Sequence, residues 1–356
     1  MNLNPSAHTV SPHRAAGCFN WPGTKPPEEP PKPPAPPNPL DPPVNRDRLV
    51  DTFIRFTQVE GPTRNERKIA DAIKAELADL GLSATEDDAG PKIGGNTGNL
   101  IVNIKGNVEG APSLLFAAHM DTVPLAVGVK PQIGEDGIIR SDGTTALGGD
   151  NRAGVSEILE AYREIKENNL PHGDLQFLFT VGEEGGLLGA RALDPSVLKS
   201  DFGFAVDVFK ANQLYTQGRH LLIDGQEPDF SPEGVHAAKD AAANSPIIPP
   251  EHLDLRPEEV DIMNFAGGAM KDIGLEPEFH RIEWAGTDAI ALRRHGMNAI
   301  SLGAGENRPH TTREFVEIND LVASTTLIRS MIAKAAAQGM AAAAVGGPAG
   351  AALATA

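Results

Sequence analysis

Two histidines and five acidic residues stand where apolar runs of this chain end, and that placement has chemical consequences. The run 113–118 leads into His119-Met120-Asp121-Thr122-Val123-Pro124. In extended chain, residues two apart share a face, so His119 and Asp121 can point into one cleft. A neutral imidazole ligates metals, and a nearby carboxylate orients it or tunes its basicity. The run 175–181 leads into Gly182-Glu183-Glu184-Gly185-Gly186. Adjacent carboxylates there repel unless something positive sits beside them. One can ligate a metal while the other stays free as a general base. Asp207 leaves the run 202–206, Asp150 precedes a helical pattern beginning near Ala153, and His310 follows the last strand-like run. Each has a plain alternative: a capping Asp, a solvated Glu pair, a surface His. Together they make the oxygen and imidazole set that binds Zn2+ or similar ions.

The elements that must present these side chains alternate between helix and strand. Asp47 is placed to cap a helix carrying Leu49, Val50, Phe53 and Ile54. A second helix runs from about Asn65, with Ile69, Ile73, Leu77 and Leu80 on one face and Gly81 as its stop. Short apolar runs at 99–104, 113–118, 175–181, 202–208 and 299–302 read as buried strands, with helical patterns at 153–167, 257–273 and 321–337 among them. The expected fold class is α/β, a mostly parallel sheet sandwiched by helices, whose ligands bind beyond the C-terminal strand ends.

Composition narrows the function further. The chain of 356 residues has 31 Lys+Arg against 48 Asp+Glu, a formal charge of −17, which argues against nucleic-acid binding. Its single cysteine, Cys18, excludes an internal disulfide framework and a Cys-based zinc site. No stretch approaches the ~20 apolar residues of a membrane span, and the amino-terminal segment lacks the apolar core of a signal peptide. A cytoplasmic address is the expectation. Fourteen of the 30 prolines lie in residues 1–43, so 1–44 reads as an extended or disordered arm, a spacer or a ligand for a Pro-recognising module. The Ala/Gly-rich stretch 339–356 reads as a flexible tail able at most to extend the last helix weakly.

The motifs His119–Pro124, Gly149-Asp150-Asn151, Gly182–Gly185, Ala205-Val206-Asp207 and Pro309-His310-Thr311-Thr312 resemble those of the M20 family of di-metal peptidases. Residues 141–150 and Glu283-Trp284-Ala285-Gly286-Thr287-Asp288-Ala289 are most similar to its peptidase T-like, tripeptide aminopeptidase-like branch. The resemblance covers roughly residues 46–210 and 258–335. It implies a zinc-exopeptidase-like catalytic domain and two divalent ions, most naturally Zn2+, with Co2+ or Mn2+ as alternatives. It implies that Asp150 bridges the ions, that His119 and Asp207 complete one site, and that Glu184 and His310 complete the other. Glu183 would be the general base and Asp121 the partner behind His119. It also implies a cis peptide bond after Asp150.

Departures from the family pattern concern the lid. Only about 46 residues separate Asp207 from the helical pattern at Pro257, where the family inserts a lid and dimerisation domain of roughly a hundred. The expected organisation is therefore a catalytic domain in two parts, 45–210 and 257–338, around a lid remnant at 211–256. Where the family carries a lid histidine, this chain reads Gln226-Glu227-Pro228-Asp229-Phe230, with His220, His236 and His252 nearby; Ile290 stands where a polar Asn is frequent. A lid-mediated dimer is not expected. The readings are hydrolysis of short peptides as an exopeptidase, hydrolysis of N-acyl amino acids by the same site, or a metal-binding homologue with impaired catalysis. The intact Glu183-Glu184 pair favours the first.

Overall fold

The computed structural model describes residues 41–207, 209–217, 246–248, 252–253, 255–282 and 286–344. Most of the Pro-rich arm, most of the lid remnant with His220 and His236, and residues 345–356 lie outside these.

Helix α1 (Arg46–Thr57) opens two residues earlier than Asp47 capping predicts: the Asn45 side chain accepts the Arg48 N–H at 3.1 Å, and Asp47 lies in the first turn. Helix α2 (Arg67–Asp79) is followed by Gly81 at φ +67°, a left-handed position that ends helices. Then come β1 (Thr85–Glu86), α3 (Ala89–Ile93), β2 (Leu100–Ile104), β3 (Leu114–His119), β4 (Gln132–Ile133), β5 (Ile138–Arg140), α4 (Gly149–Glu167), β6 (Leu175–Thr180), α5 (Leu188–Ala192), β7 (Phe202–Val206) and β8 (Gln213–Gln217). The chain closes with α6 (Pro257–Asp272), β9 (Glu278–Ile282), α7 (Asp288–Arg294), β10 (Ala299–Leu302), β11 (Glu306–Asn307), β12 (Phe315–Glu317) and α8 (Ile318–Ala344).

An eight-stranded sheet of order β1-β2-β6-β3-β7-β10-β8-β9 carries the core. Its centre, β6-β3-β7-β10, is parallel, while β1, β2 and β8 introduce antiparallel pairs. Strand β8 belongs to this sheet, although its residues fall in the stretch assigned to the lid remnant. Side chains alternate across the sheet. One face, with Phe116, Phe177, Phe179 and Phe204, packs against α1, α4, α6 and α8; the other, with Leu115, Ala117, Leu178 and Ala205, packs against Ala289 and Leu292 of α7. This is the helix-sandwiched, mostly parallel sheet the sequence predicts. A second, antiparallel sheet of order β11-β12-β5-β4 flanks it.

Helix α8 runs through Gly339 to Ala344, so the first residues of the Ala/Gly-rich stretch extend the last helix. A Cβ on Gly339 would lie 2.6 Å from the Ala111 backbone nitrogen, so the helix is seated there against the loop before β3. No described helix is long and apolar enough to cross a membrane.

Candidate metal centre

His119 ends β3 and pairs in register with Thr180, the end of β6. The chain leaves these strands, and β7 beside them, at the same edge, where parallel sheets present their sites. His119 Nε2 lies 2.7 Å from Oδ1 of Asp150, and His310 Nε2 lies 3.0 Å from Oδ2 of the same carboxylate. Asp150 thus faces one imidazole with each oxygen. Asp207, the residue after β7, places Oδ1 3.8 Å from His119 Nε2. Glu184 places Oε1 2.7 Å from His310 Nε2. Three triplets have possible ligand atoms within 4.8 Å of one another among the described residues: His119-Asp150-Asp207 and His310-Asp150-Glu184, which share Asp150, and His119-Glu183-Glu184. Glu183 enters from the β6 side with Oε2 3.8 Å from His119 Nε2.

Local backbone sets these positions. Asp150 and Asn151 open α4 with non-helical dihedrals, and the peptide bond between them is cis. Asn151 anchors the turn to the neighbouring strand end: its side-chain N–H donates to the Val206 carbonyl at 2.8 Å, and its oxygen accepts the Gly154 N–H at 3.0 Å. His310 has φ +62°, a left-handed conformation uncommon outside glycine and typical of functional loops.

His119, Asp150, Glu183, Glu184 and Asp207 are all buried. Burial alone drives the His119 imidazole toward neutrality. The charges of Glu183 and Asp207, with hydrogen bonds to Asp121 and Asp150, overcome this and raise it well above its usual range. Burial likewise opposes the charged form of His310, but Glu184 and Asp150 prevail and push it up to about 10. Four clustered carboxylates demand positive charge. Protons on the imidazoles supply it in the metal-free chain, and divalent cations satisfy the same demand. The set of imidazole nitrogens and carboxylate oxygens fits Zn2+, Co2+ or Mn2+.

Asp121 stands behind His119, but the closer acceptor for Nδ1–H is the Asp121 backbone carbonyl at 3.0 Å, with carboxylate Oδ1 at 3.4 Å. The carboxylate's main partners are elsewhere: the Glu183 N–H at 2.9 Å, the Glu184 N–H at 3.2 Å and the Thr63 hydroxyl at 2.8 Å. Three further residues escaped the sequence reading. Glu66, fully buried, accepts the Gly182 N–H at 3.0 Å, and burial together with the Asp121 charge pushes it up to about 7. The carboxylates of Glu66 and Asp121 therefore hold three successive amides of the turn that presents Glu183 and Glu184. Arg152, also buried, donates to the Met120 and Val59 carbonyls beneath them; burial lowers it to about 10 against the pull of Asp121 and Glu66. Glu314 accepts three amides of the Asp150 turn. Glu66 is the N-cap residue of α2 and Glu314 lies in the loop before β12, each among polar neighbours where nothing in the sequence distinguishes a buried acid from a solvated one.

Of the remaining features, Thr287 caps α7 and Asp288 accepts the Thr180 hydroxyl at the end of β6. His252 is exposed, and the segment 226–230 lies outside the described residues.

Residues 115–334 match the model of peptidase family M20/M25/M40. The uncharacterized protein YqjE of Bacillus subtilis is 27% identical over 372 residues, a match spanning 82% of this chain and 100% of that protein. Peptidase T of Vibrio cholerae is 32% identical over 202 residues, 45% of this chain and 47% of its own length. The crystal structure of aminopeptidase PepT from Bacillus cereus superposes with a TM-score of 0.68 at 26% identity, covering 82% of this chain and 99% of that one. The chain belongs to peptidase family M20/M25/M40. It is a hydrolase of the metallopeptidase class.

Proposed function

We propose that this chain is a di-metal exopeptidase that releases single residues from short peptides, in the manner suggested by the names of its peptidase T and PepT relatives. The observation that carries the proposal is the shared carboxylate of Asp150, with one imidazole and one further acid on either side. His119, Asp150 and Asp207 would hold one ion, and His310, Asp150 and Glu184 the other. When bound, such a pair supplies Lewis acidity to the substrate carbonyl and to water.

The protein's own groups account for the proton traffic. Glu183 is placed to take a proton from the attacking water as the new C–O bond forms. It then delivers that proton to the amine nitrogen as the C–N bond breaks. Its position is maintained from behind by Asp121, which accepts the Glu183 N–H. No nucleophilic Ser or Cys is needed. Zn2+ is the ion proposed here, with Co2+ or Mn2+ able to serve the same ligands.

The test is release of free amino acid from a tripeptide panel by the metal-loaded protein, with Glu183→Ala alongside. Loss of the general base lowers turnover by about 10²–10⁴-fold, while metal content stays near wild type. A Glu183→Ala protein that keeps wild-type turnover would refute the assigned role. Turnover of N-acyl amino acids in preference to every peptide would refute the substrate class.

A further inference from the structure

We infer that Glu314 is a positioning residue that clamps the Asp150 turn to the His310 loop and thereby sets the affinity of the His310-Glu184 metal position. Glu314 is buried, and its carboxylate meets three backbone donors of one turn. Oε2 accepts the Leu147 N–H at 2.7 Å and the Gly148 N–H at 2.9 Å, and Oε1 accepts the Asp150 N–H at 3.0 Å. Its own N–H donates to the Thr311 carbonyl at 3.1 Å, next to His310. The turn closes tightly on this carboxylate: a Cβ on Gly149 would lie 3.1 Å from Glu314 Oε1 and 2.7 Å from Val316 Cγ2.

The clamp joins two segments that are otherwise far apart in sequence. It lies on the connection between His310 and β12, and β12 pairs with β5 just ahead of the Asp150 turn. One metal position draws both Asp150 and His310 from the segments Glu314 ties together. The other shares Asp150 but draws its remaining ligands, His119 and Asp207, from the ends of β3 and β7, which pair directly in the sheet. The two positions therefore depend unequally on Glu314. The residue touches neither substrate nor reacting atoms and acts through backbone amides. Burial pushes Glu314 up to about 7, but three converging N–H donors favour the ionised carboxylate, which only accepts hydrogen bonds; a glutamine amide would aim its own N–H groups at one of them.

The inference rests on the two-ion reading above. Its test is titration of the full metal-free chain with Zn2+ against a competing chelator, and with Co2+ followed by visible absorption. Glu314→Gln is expected to weaken the His310-Glu184 ion by about 10- to 100-fold, the usual cost of removing a ligand's hydrogen-bonded support, and the other, which shares only Asp150, by clearly less. The ion that remains should give the Co2+ spectrum of His310→Ala protein. Glu314→Asp, which keeps the charge but withdraws it, should weaken the same ion to a lesser degree, and it decides the matter if the Gln variant does not fold. Glu317→Gln, at an exposed acid that ends β12, should change neither ion. Equal weakening of both ions, or two unchanged affinities, in the variant that folds would overturn the clamp while leaving the di-metal reading intact. A wild-type chain that binds fewer than two ions would overturn both.

Discussion

Asp150 offers one oxygen to each imidazole, so exchanging one oxygen for an amide nitrogen should strike both proposed ion positions at once. Asp150→Asn is expected to reduce metal retained after dialysis from two ions per chain to less than one, read by elemental analysis. Retention of two ions would contradict the shared role. A different acid shows what burial costs when no counter-charge is supplied. Glu157 on α4 is buried, with neither carboxylate oxygen hydrogen-bonded among the described residues. Burial first, then the nearby Asp320 charge, raises it well above its ordinary value of 4.5. A group that holds its proton more tightly folded than unfolded adds stability below the unfolded value and loses it as pH rises toward the folded one. Glu157→Gln removes that dependence. Its melting temperature should therefore gain on wild type progressively between about pH 5 and pH 8. A difference that stays flat with pH would exclude a titrating Glu157.

At the scale of elements, the site depends on how closely α4 approaches β7. A Cβ on Gly154 would lie 2.3 Å from the Val206 carbonyl oxygen and 2.4 Å from Asn151 Oδ1, so the helix start cannot accept even a methyl group there. Gly154→Ala should cost on the order of 1–3 kcal/mol, as overpacking does, and weaken metal binding by displacing Asp150 from Asp207. Calorimetry and metal titration would show both; unchanged values would mean that the contact relaxes freely. The strand ends were legible in the sequence because His119, Glu183 and Asp207 each leave a buried apolar run, and a charged residue there needs a reason. Helices α1, α2, α6 and α8 were legible from their spacing. The flanking sheet was not, since β4, β5, β11 and β12 are two or three residues long and too short to show a period. Glu66 and Glu314 were hidden for a related reason. Their burial comes from loops closing over them in the folded chain, among neighbours such as Arg64, Asn65, Thr312 and Arg313 that read as solvated.

Across the whole molecule, the formal charge of −17 is partly gathered inward, in acids that converge on one site. Metal loading should then stabilise the folded chain by neutralising them. A ligand at a hundred times its Kd adds about 2.7 kcal/mol, which for a chain of this size corresponds to a melting shift on the order of 4 °C per ion. Chelation should lower the melting temperature by that amount and readdition of Zn2+ should restore it; an unshifted transition would argue that no ion is held in the fold. The most direct measurement is anomalous diffraction from crystals of the zinc-loaded protein. The account predicts two peaks about 3.5–4 Å apart astride Asp150, one against His119 and Asp207 and the other against His310 and Glu184. A single peak, or none with His119 and His310 still bonded directly to Asp150, would contradict it.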